Sequence, residues 1–68
     1  MNWSKDMLVN TRRQNALKAH GGDFTGTGRA LQALANATTY TVTKREAKKD
    51  ADYFFSQAKK ARQELSDI

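Results

Sequence analysis

The sequence has no cysteine, a single histidine and no long apolar run. Without cysteine there is no disulfide framework and no thiolate metal site. With His20 as the lone imidazole, a nitrogen-rich metal site within one chain is excluded as well. No metal and no cofactor is therefore expected. The apolar segment nearest the start, Met7-Leu8-Val9, is far shorter than the hydrophobic region of a signal peptide. No stretch approaches the ~20 apolar residues that span a bilayer. These absences point to a chain that stays in the cytoplasm and does not engage a membrane.

Length is also in short supply. At 68 residues the chain makes one small basic domain at most. A catalytic base needs a positioned partner inside a pocket, which so small a chain encloses poorly, so the protein reads as not an enzyme. Only fifteen large apolar side chains follow Met1. That thin supply calls for well-formed helices, a partner, or a second copy of the chain.

What is abundant is positive charge. Twelve Lys and Arg against seven Asp and Glu leave a net +5, with a pI near 9.9. The excess sits in residues 1–20 and 44–68, while residues 21–43 are neutral. Such a balance favours polyanions, a nucleic acid or an acidic protein face, through long-range attraction.

The spacing predicts an all-α fold, a small three-helix domain with helices at about 4–19, 28–37 and 43–66. The last is the best marked. Thr43 followed by Glu46 matches a capping box. Ala47, Ala51, Phe54, Ala58, Ala61, Leu65 and Ile68 then recur at alternating spacings of four and three, a heptad seam. A helix from 43 to 66 would run about 35 Å. Because alanine knobs are small, whatever packs on the seam must come close. The partner is either the two shorter helices of the same chain or the same helix of a second copy, giving a homodimer. Ser4 reads as the N-cap of the first helix, and Gly21-Gly22 as its stop. Residues 21–28 read as a glycine-rich loop with Phe24 plugging the core, and Thr27 caps a short helix that turns Leu31 and Leu34 inward. Residues 38–43 have β-propensity and read as an extended connection whose Tyr40 and Val42 pack inward.

The candidate binding surface lies on the long helix. With Phe54 at zero and about 100° per residue, Lys44, Arg62, Lys48, Lys59 and Arg45 fall between about 80° and 180°. Phe55 lies inside this stripe, Asp52 interrupts it, and Glu46, Asp50 and Glu64 occupy the opposite flank. Basic residues along one side of a helix with an aromatic among them can hold a phosphate backbone and stack a base. The competing reading is a solvated face with Lys48–Asp52 and Lys60–Glu64 as ordinary ion pairs. Arg12 and Arg13 would extend the stripe if the first helix lay beside it, with the amides of Asn10, Gln14 and Asn15 available to base edges. Thr25-Gly26-Thr27-Gly28-Arg29 lacks the Lys-Ser/Thr ending of a P-loop and reads as a capping turn, not an anion site. His20 suits the C-terminal dipole of the first helix.

The leading expectation is thus a non-enzymatic nucleic-acid-binding protein, DNA ahead of RNA, using Arg12, Arg13, Lys44, Lys48, Phe55, Lys59 and Arg62. The alternative is a protein–protein module, such as an adaptor, inhibitor or assembly subunit of the kind that phages and mobile elements encode. It would dock on an acidic or helical partner through Ala47, Ala51, Tyr53, Phe54, Ala58, Ala61 and Leu65.

Overall fold

A pair of glycines stops the first helix. Gly21 and Gly22 adopt φ of 61° and 82°, the left-handed region that costs other residues roughly 1–2 kcal/mol. There the Gly22 N–H donates to Leu17 O at 2.9 Å and the Gly21 N–H to Lys18 O at 3.2 Å, closing a Schellman motif over the last carbonyls. His20 Nδ1 lies 2.9 Å from Ala16 O at the same end. The computed structural model describes residues 1–66, and over that range the chain is all helical: α1 (Val9–Ala19), α2 (Phe24–Ala37) and α3 (Thr41–Ser66). Among the described residues no helix is long and apolar enough to cross a membrane.

All three helices start away from their expected positions, for local reasons. α1 begins at Val9 because Ser4 bends the chain instead of capping it. The Asp6 N–H donates to Ser4 Oγ at 3.3 Å and the Met7 N–H to Ser4 O at 3.1 Å, the local bonding by which serine favours turns. The glycine-rich segment is a loop only to Asp23, and its residues 24–28 are the beginning of α2. Asp23 takes the N-cap position, and Thr27 donates to Asp23 O through both its N–H (2.9 Å) and its hydroxyl (2.7 Å). Gly28 is helical because packing requires it, since a β-carbon there would lie 2.8 Å from Phe55 Cε1. This close approach overrides the low helix propensity of glycine.

α3 starts at Thr41, so the Thr43–Glu46 capping box does not form: Thr43 is already inside the helix and Glu46 turns toward Arg12. The connection is only residues 38–40, and the Tyr40 N–H donates to Thr38 Oγ1 at 3.2 Å. Tyr40 and Val42 do not pack inward; they are 74% and 44% exposed. Helix continuity wins over β-propensity here because a lone extended segment leaves its backbone groups without partners.

α2 runs antiparallel to α3, as the pairs Phe24–Phe54, Gly28–Phe55 and Lys44–Ala35 show in sequence. The core is Ala16, Leu31, Ala51 and Phe54, with Trp3, Leu17, Phe24, Leu34 and Phe55 packed around it. Phe24 does plug this core, its ring centroid 6.4 Å from that of Phe54. The alanine seam is consumed within the chain: Ala47, Ala51, Phe54 and Ala58 are all buried. These four residues therefore offer little surface, with Ala58 the most exposed of them at 8%.

Candidate functional site

Charged residues divide into an interior set and an outward set. The interior set surrounds Asp50, which is fully buried at 0% exposure, and Arg12, at 2%. Arg12 Nε donates to Asp50 Oδ2 at 2.7 Å and Nη2 to Oδ1 at 3.0 Å. Arg13 Nε adds a bond to Oδ1 at 2.9 Å and Trp3 Nε1 one to Oδ2 at 2.8 Å. Arg12 also donates to Lys5 O at 3.3 Å and stands 3.8 Å from Glu46 Oε1. Both guanidiniums lie over aromatic rings, Arg12 at 5.4 Å from the Trp3 centroid and Arg13 at 4.3 Å from that of Tyr53.

Burial drives the Asp50 carboxyl pKa upward, but the donors Arg12, Trp3 and Arg13 outweigh it and hold the group below the ordinary aspartate value. The hydrogen bonds to Asp50 raise the Arg12 pKa against its own desolvation. Both groups are therefore ionised at neutral pH. Glu46 is less well served: Oε2 is buried without a hydrogen bond, although Lys49 Nζ lies within ion-pair range at 3.3 Å.

Arg12 is thereby buried away from the expected nucleic-acid surface, and Arg13, 24% exposed, lies apart from the lysine stripe. α1 does lie beside α3, but on the flank that carries Glu46, Asp50 and Tyr53, opposite the lysine stripe. The attraction of two guanidiniums to that acidic flank accounts for the choice. The helical wheel carried a signal, because Asp50 falls at about −40° from Phe54, at the edge of the seam where a charge must find a partner. Which cations would answer it was not readable, since they are 37 and 38 residues away.

The outward set lies on the other flank of α3. Lys48, Lys59 and Arg62 are exposed, with Arg62 engaged in contacts of its own. Lys44 is exposed along its stem, but its ammonium donates to Ala35 O at 2.8 Å, where a cation complements the C-terminal end of α2. Phe55 is half-buried and rests on Gly28. Between α2 and this flank runs a groove of about 220 Å³, lined by Gln32, Asn36, Lys44, Lys48, Asp52 and Phe55 over a floor of Ala35 and Ala51. A shallower hollow of about 140 Å³ on the other side is bordered by Asn10, Arg13, Gln14 and Tyr53. Of the expected protein-docking residues, Tyr53 is 39% exposed with the Arg13 guanidinium over its ring, Ala61 is half-buried and Leu65 is 73% exposed. The segment Thr25–Arg29 is helical, with the Thr27 N–H already bonded, so it forms no loop to cradle an anion. Ile68 lies outside the described residues.

No protein-family model, curated protein sequence or solved structure matches this chain.

Proposed function

We propose that the protein is a non-enzymatic nucleic-acid-binding protein that contacts phosphates through the outward flank of α3, centred on Lys48 and Lys59. The observation that carries this reading is the division of charge. The buried pair Arg12–Asp50 is neutral by itself, which leaves the whole +5 to the other eleven basic and six acidic side chains. Lys48 and Lys59 are exposed on one flank of an unbroken 26-residue helix, about 16 Å apart along its axis. Binding would proceed by counterion release, with the backbone of the nucleic acid supplying most of the affinity.

The test is fluorescence anisotropy with labelled nucleic acid at low and near-physiological salt. The expected result is an affinity whose logarithm falls linearly with the logarithm of salt concentration. Lys48→Glu with Lys59→Glu should weaken binding at least tenfold and leave the circular-dichroism spectrum unchanged. Absence of binding at low salt, or binding indifferent to this pair of substitutions, would overturn the assignment.

A second reading, docking on a helical protein, keeps one observation in its favour. The seam continues past the buried stretch to Ala61 and to Leu65, which is 73% exposed. Leu65→Glu should abolish such docking while leaving the salt-dependent binding intact, and a partner indifferent to it does not use this end of the helix.

A further inference from the structure

We infer that the groove between α2 and α3 holds one unstacked base of a single-stranded nucleic acid, with Phe55 as its stacking surface. The inference rests on the proposed function and names what that surface takes. Three features of the groove agree with a base.

Its size is the first. At about 220 Å³ it is smaller than the ~300–1,000 Å³ pockets of drug-sized ligands, and it offers room for a single planar ring system. Its walls are the second. Phe55 is seated on the bare backbone of Gly28, where a β-carbon would lie 2.8–3.1 Å from three atoms of the ring. A ring so fixed is a preorganised stacking surface, and base–aromatic stacking needs no particular sequence. Gln32 and Asn36 line the groove from α2 with amides that both donate and accept hydrogen bonds. The third is the arrangement of charge. Asp52 lines the groove from α3 beside Lys44 and Lys48, and its carboxylate accepts a hydrogen bond from an exocyclic amine such as cytosine N4. Lys48 at the groove and Lys59 beyond it, both exposed, are placed to meet the flanking phosphates. A base paired within a duplex presents only its edge and cannot enter, so the groove favours single strands.

The experiment compares the full-length chain against four labelled probes at low salt: a short oligo(dC), an oligo(dT) and an abasic strand of equal length and charge, and a matched duplex. Oligo(dC) is expected to bind about 5- to 150-fold more tightly than the abasic strand, and more tightly than oligo(dT) or the duplex. Phe55→Leu keeps an apolar side chain on Gly28 but cannot stack, and should reduce oligo(dC) binding to the abasic level. Phe55→Tyr should retain it. Should Phe55→Leu lose helicity, Gln32→Ala with Asn36→Ala changes only exposed side chains and should narrow the gap between oligo(dC) and the abasic strand. Equal affinity for oligo(dC) and the abasic strand would overturn the base site while leaving the phosphate surface standing. Equal affinity for oligo(dC) and oligo(dT) would overturn the Asp52 contact. Failure of all four probes to bind would remove both proposals together.

Discussion

α2 and α1 are held against α3 by opposite kinds of chemistry. α2 lies close along α3 through small and apolar residues, with Gly28 beneath Phe55, Leu31 beside Ala51, and Phe24 against Phe54. α1 stands farther from α3 in its backbone and reaches it with long side chains that end on a buried carboxylate. Removing an apolar contact forfeits burial and leaves a cavity. Removing Arg12 or Asp50 leaves the other charge buried out of water. The two interfaces should therefore fail in different ways.

The largest effect is expected at Asp50. Asp50→Ala leaves Arg12 buried without a counterion and should cost about 3–5 kcal/mol, enough to unfold a domain this small. Replacing the pair together, Arg12→Met with Asp50→Leu, should recover most of that loss, which urea melts of the single and double variants would measure. If the double variant is as unstable as the single, the cost lies in shape and not in charge.

On the apolar side, Leu31→Ala should cost about 2–5 kcal/mol by opening a cavity under α2. A lowered midpoint in a thermal melt followed by circular dichroism would measure it. Gly28→Ala is expected to be milder. The new methyl would collide with the Phe55 ring at 2.8 Å, an overpacking cost of about 1–3 kcal/mol, offset by the ~1 kcal/mol advantage of alanine in a helix. A double-mutant cycle with Phe55→Leu should show positive coupling; additive effects would mean that the ring moves away freely.

The smallest and most selective perturbation is acid. The Asp50 pKa is lower in the folded protein than in the unfolded chain, so the unfolded state binds the proton more readily. Stability from this group is therefore complete above the ordinary aspartate value near 4 and declines as pH falls from there through the folded value. Trp3 donates to the same carboxylate, so its fluorescence should report the loss of the α1 interface before helicity falls. Simultaneous loss of both signals would mean that α1 and α2 dock as one unit.

The all-helical architecture, the long third helix and the glycine stop of α1 were legible because periodicity and glycine stereochemistry act over a few residues. The starts of the helices were less so. Gly26 and Gly28 read as loop, yet α2 passes through both, and a β-carbon would crowd the Asp23 side chain at the first and the Phe55 ring at the second. The candidate surface was legible where it depends on one helix: Lys48, Lys59 and Arg62 lie outward as the wheel placed them. It was misjudged where two helices had to be placed relative to each other, and Arg12 became an interior residue for that reason.

Local order and net charge were thus determined by the sequence by itself, since both follow from neighbours along the chain. The side of α3 that received α1 was decided in three dimensions, where a carboxylate at the edge of an apolar seam could be buried only by recruiting two guanidiniums and an indole from a distant segment. That choice left the lysine flank and its groove facing outward, because the two cations that neutralise Asp50 both come from α1.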